Sequence, residues 1–322
     1  MTVAISCGEP AGIGPEIAAD AWRALRNDIP ILWIGDPSHL PSDIPVTVVT
    51  DPSSAAASSP MSLPVLPIET GAPRQPGQLN PAHAAGVIAA IEEGARLAHA
   101  GQCSALCTAP IHKQALAEGA AFRFPGHTEF LASLDDKDHV VMMLACSDLR
   151  VVPVTIHIPL SEVARHFTSE LLEKTILTTH NALKHDFGIE RPRIAVAGMN
   201  PHAGEGGRMG REEIEVIAPV VARLRDLGMN VFGPMSADTM FHPTARTSYD
   251  AAICAYHDQA LIPIKTIDFS GGVNVTLGLD FIRTSPDHGT ALDIAGKGIA
   301  DPTSMIAAIR MAWEMGQKRH QK

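Results

Sequence analysis

Between Tyr256 and Asp301 the chain reads YHDQALIPIKTIDFSGGVNVTLGLDFIRTSPDHGTALDIAGKGIAD. This stretch holds an imidazole able to ligate a metal (His257) and three polar groups able to hold an anionic substrate (Lys265, Asn274, Arg283). Two other histidines share the setting of His257. His157 closes the apolar run of VVPVTIH, His202 follows PRIAVAGMN, and His257 follows DAAICAY. A single histidine after a strand is ordinarily a packing or surface residue. Three, each directly after a separate apolar run, are a different signal, because the carboxyl ends of strands in a parallel α/β sheet form its ligand-binding edge. Three neutral nitrogens with an open fourth position describe a catalytic zinc-type site better than a closed structural one. No H-x-x-x-H spacing is present, so spacing alone does not assign a metal.

The elements that would position these groups follow from periodicity. VAISC (3–7) is a short apolar strand ending in the glycine turn GEPAGIGPE and a helix to Leu25, with Pro15 suited to a first-turn position. Gly8, Gly12 and Gly14 do not match G-x-G-x-x-G, so a Rossmann dinucleotide fold is not expected. ILWIGD (31–36) and VTVVTD (46–51) read as buried strands. The Ser, Ala and Pro rich stretch from Pro52 to Pro81 reads as a surface connection with short extended pieces such as LPVLPI. A small-residue helix from Pro81 to Ala100 precedes the strand SALCT. Strand alternating with helix implies a parallel sheet covered on both faces. In FRFPGHTEFLA a helix starts near Thr128, which is either an N-cap or, with His127 and the free N–H groups there, part of an anion site. HVVMMLACSDLRVVPVTIH reads as two strands joined at Ser147 and Asp148. Helices are expected over Ser169–Phe187 and Arg211–Asp226, and Asp238 falls at a helix start, where an N-cap role is the plain alternative.

Composition sets the outer limits. With 322 residues, 45% hydrophobic and 19% charged, the chain is expected to form two globular domains. Aromatics are only 4%, so small aliphatic residues and 12 Met must fill the core. A formal charge of −10 argues against nucleic acid as a partner, and an anionic substrate would need a local cluster of cations. No apolar run is long enough to span a membrane. The five cysteines are scattered through apolar runs, which suits buried free thiols in a reducing, cytoplasmic setting.

The segment HGTALDIAGKGIADP from His288 resembles the cofactor loop of the isopropylmalate and isocitrate dehydrogenases, with Leu292 where that pattern has proline and Asp301 where it often has asparagine. With GEPAGIGPEI (8–17), TAPIHK (108–113), FPGHTEFLA (124–132) and NPHAGEGG (200–207), the chain resembles the 4-hydroxythreonine-4-phosphate dehydrogenase family of vitamin B6 biosynthesis. The resemblance runs from residue 3 to beyond residue 310. Glu9 stands where most of that family has Asp.

The resemblance implies two α/β/α domains with a cleft between them, of the isocitrate and isopropylmalate dehydrogenase type. Residues 1–120 with 292–322 would form the first, and residues 121–291 the second, which would carry metal, substrate and dimer contacts. It implies a divalent metal (zinc, cobalt or magnesium) on His157, His202 and His257, shared across a homodimer. It further implies substrate contacts from His127, Thr128, Lys265, Asn274 and Arg283, and NAD held along His288, Gly289, Thr290 and Asp293. A carboxylate at Asp293 placed to accept from the ribose 2′-hydroxyl favours NAD over NADP. Lys265, Asp258 and Asp238 are the candidates for catalytic proton handling. The implied reaction oxidises 4-phosphooxy-threonine to a β-keto acid that decarboxylates to 3-amino-2-oxopropyl phosphate. A sister dehydrogenase acting on a phosphorylated threonate or a dihydrodiol carboxylate fits the same motifs. A phosphate acyltransferase of related architecture fits less well, because the HGTALDIAG loop and the histidine set have no use there.

Overall fold

The computed structural model describes residues 1–320. The chain forms two compact units, Met1–Val140 with Leu279–Lys322, and Val141–Gly278, so that its path leaves the first unit and later returns to it. These limits differ from the sequence-based ones at 120/121 and 291/292. In chain order the first unit supplies β1 (Val3–Ser6), β2 (Ile31–Gly35), β3 (Val46–Val48), β4 (Leu63–Pro67) and β5 (Ala105–Thr108). The second supplies β6 (Val141–Ala145), β7 (Arg150–Thr155), β8 (Arg193–Ala197), β9 (Asn230–Met235), β10 (Ala251–Tyr256) and β11 (Val273–Leu277). β12 (Arg283–Pro286) follows the return.

In the first unit the strands lie in the order β3-β4-β2-β1-β5-β12 and every pairing is parallel. β1, β2 and β5 are buried along their whole length, as strands covered on both faces must be. Helix Gly14–Leu25 starts with Pro15 in its first turn. It buries Ile17, Trp22 and Leu25, and the Trp22 indole N–H donates to the Ser59 carbonyl at 2.8 Å. Helix Thr303–His320 packs on β12 and β5 after the return.

Two readings of this unit are corrected. The stretch from Pro52 to Pro81 contains β4, a strand paired on both sides, with Leu63 and Val65 fully covered. Its LPVLP prolines concealed that pairing, because proline lacks the N–H that a ladder ordinarily uses. β3, expected to be buried, is the edge strand, and Val48 is 56% exposed.

In the second unit the order is β11-β6-β7-β10-β8-β9. β6 pairs antiparallel with both β11 and β7, whereas β7, β10, β8 and β9 are mutually parallel. The core is built from Leu144, Val151, Ala195, Ala252, Cys254 and Ile264. Helix Ser169–His185 is capped by Thr168, whose hydroxyl accepts from the Leu171 N–H. The helix expected from Arg211 opens with a π-turn over Glu213–Ile217 before continuing as Ala218–Asp226. Asp238 starts no helix: it lies in a turn and accepts from the Ser236 hydroxyl at 2.7 Å, while the next helix, Pro243–Arg246, is capped by His242. Asp250 fixes the start of β8 by accepting from the Arg193 backbone N–H and guanidinium at 2.8 Å each.

Candidate active site

Because β7, β10 and β8 are parallel neighbours, their carboxyl ends share one edge. His157 lies two residues past β7, His257 directly follows β10, and His202 lies five residues past β8. The rings of His157 and His257 come together, with centroids 5.9 Å apart. They line a hollow of about 270 Å³ with Thr155, Ile156, Tyr256 and Asp258. Asp258 Oδ1 lies 2.7 Å from His257 Nδ1, a carboxylate–imidazole contact of the kind found around metal-ligating histidines. His202 does not join this pair: among the described residues of one chain, no three His, Cys, Asp or Glu side chains form a metal-holding group.

The backbone around His202 is unusual. His202 (φ 53°), Ala203 (51°), Gly204 (79°), Glu205 (43°) and Gly206 (66°) form a run of left-handed residues. Left-handed backbone costs a non-glycine residue on the order of 1–2 kcal/mol, so His202, Ala203 and Glu205 hold this turn only because their surroundings impose it. The ends of β8 and β10 are joined by a side chain. Their last paired residues are Ile253 and Val196. Two positions further on, Gln259 Oε1 accepts from the Ala255 N–H at 2.7 Å, and Gln259 Nε2 donates to the Gly198 carbonyl at 2.8 Å. The amide thus replaces a ladder rung between the strand that leads to His202 and the strand that leads to His257.

In the first unit, helix His127–Leu134 begins after Gly126, which occupies the N-cap position and offers no capping side chain. Thr128 is therefore not the cap, and the first N–H groups of the helix are left for another acceptor. Arg283 is 3% exposed and donates through Nε and a terminal nitrogen to the Thr108 hydroxyl at 3.2 and 2.7 Å. Burial lowers its pKa to about 10. Burial, then the positive charges of Arg283 and Lys113, hold the His127 imidazole well below its ordinary pKa and therefore neutral. Its Nε2 is covered and has no hydrogen-bond partner among the described residues. Buried polar atoms are nearly always paired, so this atom is an exception to the rule.

Lys113 was not singled out from sequence. Its ammonium would lie 3.6 Å from a Cβ at Gly126, close to the open helix start. One signal was available: Lys113 is the first residue of helix Lys113–Ala120, where the helix dipole disfavours a cation. In the second unit, Asn274 on β11 has a covered Oδ1 with no partner among the described residues. Lys265, half-buried near the end of helix His257–Ile267, places its ammonium 5.5 Å from the Phe269 ring centroid.

The loop after β12 is held by the N-terminal glycine turn. The Ile13 N–H donates to the Thr290 carbonyl at 3.0 Å. Gly12 lies so close that a Cβ there would be 2.7 Å from that oxygen, which explains a glycine at this position. Glu16 accepts from the Gly296 N–H at 2.7 Å and pairs with Arg74 at 2.5 Å. Asp293 is exposed on this loop, as is Gly289. His288 Nδ1 lies 2.9 Å from the Gly289 carbonyl, and its Nε2 is covered without a partner among the described residues. Asp301 closes this segment near enough to His288 for the two to interact electrostatically. It accepts from the Thr303 N–H at 2.9 Å, at the start of the last helix.

The fold and these side chains define an α/β protein of two compact units that collects imidazoles and amides at the carboxyl ends of the parallel strands β7, β10 and β8 and a buried guanidinium in the other unit. The family described as "Pyridoxal phosphate biosynthetic protein PdxA" matches residues 26–312, and the chain belongs to it. It is 57% identical over 319 residues to a 4-hydroxythreonine-4-phosphate dehydrogenase of Ruegeria sp., covering 99% of this chain and 98% of the relative. The crystal structure of a 4-hydroxythreonine-4-phosphate dehydrogenase from Klebsiella pneumoniae is similar with a TM-score of 0.88 at 36% identity, covering 98% of this chain and 99% of that one. A terephthalate 1,2-cis-dihydrodiol dehydrogenase from Burkholderia xenovorans is similar with a TM-score of 0.69 at 29% identity, covering 97% of each chain.

Proposed function

We propose that this protein is a cytoplasmic oxidoreductase acting on a CH–OH group, dependent on NAD and a divalent metal. Its substrate is 4-phosphooxy-L-threonine, the compound in its relatives' names, and its role lies in vitamin B6 biosynthesis. The observation that carries the reading is the His157–His257 pair, oriented by Asp258 at the end of two adjacent parallel strands. An imidazole donor set suits zinc or cobalt better than magnesium, which prefers oxygen ligands. His157 and His257 would hold the ion in one subunit of a homodimer, with His202 supplied by the other. Ile158 and Leu160, beside the pair, are 37% and 71% exposed, and a second subunit would cover them. When bound, the metal supplies Lewis acidity, which lowers the pKa of an alcohol and steadies negative charge on oxygen as carbon dioxide departs.

The chain's own groups do the rest. The helix start at His127 and Thr128, with Arg283, binds the phosphate, and the neutral His127 ring meets a ligand oxygen at its partnerless Nε2. Lys265 and Asn274 bind the remainder of the substrate. Lys265, Asp258 and Asp238 are the groups for receiving the hydroxyl proton. His288, Gly289, Thr290 and Asp293 would hold the adenosine end of NAD, which would supply the acceptor for the hydride from the same carbon. The resulting β-keto acid breaks its bond to the carboxyl group, releases carbon dioxide, and takes up a proton at carbon to give 3-amino-2-oxopropyl phosphate. Five buried free cysteines suit a reducing compartment, and among the described residues no helix is long and apolar enough to cross a membrane.

The test is NADH formation by the full chain with this substrate, before chelation, after it, and after zinc or cobalt is restored. Activity unchanged by thorough chelation removes the metal from the reaction. A panel including a phosphorylated threonate and a dihydrodiol carboxylate tests the substrate, and faster turnover of either would reassign it.

A further inference from the structure

The left-handed turn at His202 has an internal clamp. The carboxylate of Glu213, 3% exposed, accepts from the Asn200 backbone N–H at 2.7 Å through one oxygen and from the Asn200 side-chain amide at 3.0 Å through the other. Glu212 accepts from the same amide at 2.6 Å. The Ala203 N–H returns to the Asn200 carbonyl at 3.1 Å, so the turn is built directly on the clamped residue. Gly204 lies against the carboxylate, since a Cβ there would be 2.5 Å from Glu213 Oε2. The π-turn over Glu213–Ile217 starts at the clamping residue, and such turns recur at functional sites. A buried carboxylate is costly unless it is fully hydrogen-bonded, and all the partners named here belong to the His202 turn.

We propose that Glu213 is a positioning residue that, through Asn200, sets the left-handed turn presenting His202 and thereby the protein's affinity for a divalent metal. This rests on the reading of His202 as a metal ligand. Residues that orient metal ligands typically change affinity tenfold to a hundredfold when altered. Glutamine at this position keeps an acceptor for the Asn200 N–H but turns an amide donor toward the Asn200 amide, so it preserves half of the clamp.

The test is zinc titration by calorimetry into metal-stripped wild type, His202→Ala, Glu213→Ala and Glu213→Gln, with amide hydrogen exchange over residues 200–207. The expected order of affinity is wild type, then Glu213→Gln, then Glu213→Ala about tenfold to a hundredfold below wild type, with His202→Ala weakest. Exchange over 200–207 should quicken in the Glu213 variants while β8 and β10 stay protected. Should Glu213→Ala fail to fold, Glu213→Gln carries both measurements. Zinc affinity within twofold of wild type in the Glu213 variants, alongside a large loss in His202→Ala, overturns the clamp and leaves the ligand reading standing. Unchanged affinity in His202→Ala overturns the ligand reading and the inference with it.

Discussion

Replacing Gln259 by methionine keeps the length and volume of the side chain and removes only its amide. Two backbone groups then lose their partners: the N–H of Ala255, a residue 1% exposed, and the carbonyl of Gly198, which is also buried. Leaving a buried polar group unpaired costs about 1–3 kcal/mol. The two together should cost about 2–4 kcal/mol, allowing for water reaching one of them. Against a native stability of about 5–15 kcal/mol this is a large loss, expected to lower the urea midpoint by about 1 M or more. It should also reduce zinc affinity, because the amide fixes the ends of the strands leading to His202 and His257. Equilibrium urea unfolding followed by circular dichroism, on metal-free protein, measures the first effect, and calorimetric titration measures the second. A variant within about 0.5 kcal/mol of wild type, the usual range for surface substitutions, would show that the amide is not a working rung between β8 and β10.

Other outcomes follow from the same geometry. Burial alone would raise the pKa of Asp250, but hydrogen bonds from the Arg193 side chain and backbone outweigh it and hold the carboxyl below its ordinary value. A depressed carboxylate stabilises the fold above its unfolded pKa of about 3.9 and loses that contribution as pH falls through the folded value. Asp250→Asn should therefore be less stable than wild type at pH 7, by about 1 kcal/mol after discounting the exposure of Arg193. The gap in urea midpoints should close below about pH 4; a gap constant down to pH 2 would contradict the assignment. Gly12→Ala pushes a methyl group against the Thr290 carbonyl, so the KM for NAD should rise about tenfold, roughly 1.4 kcal/mol, while zinc affinity is unchanged. Asp293→Ala should raise the KM for NAD and narrow the preference over NADP, measured as the ratio of kcat/KM with the two cofactors; an unaltered ratio would remove the 2′-hydroxyl contact.

Much of the architecture was legible because its causes are local. Fully buried parallel strands demand unbroken apolar runs, and VAIS, ILWIG and ALCT have them. Turn chemistry likewise announced helix Gly14–Leu25 through Pro15, and the absence of G-x-G-x-x-G removed the Rossmann reading. The failures were local as well. LPVLP was legible as an extended piece but its prolines hid that it is paired on both sides, and VTV looked buried although it ends its sheet. Asp238 resembled an N-cap by residue type alone.

What the amino-acid order determined by itself is which side chains sit at strand ends, since a residue following an apolar run must emerge at the edge of a sheet. That covers His157, His202 and His257. Which of them meet was decided only by tertiary structure. β10 lies between β7 and β8 although it follows both in the chain, and of the two neighbours it is His157, a hundred positions away, whose ring meets that of His257. The partners of Glu213 and Gln259 were hidden for the same reason. A carboxylate in REEIEV or an amide in HDQAL looks like any solvated helix residue until the fold brings Asn200 or Gly198 against it. Hydrogen bonds of this kind depend on distances that no spacing along the chain encodes.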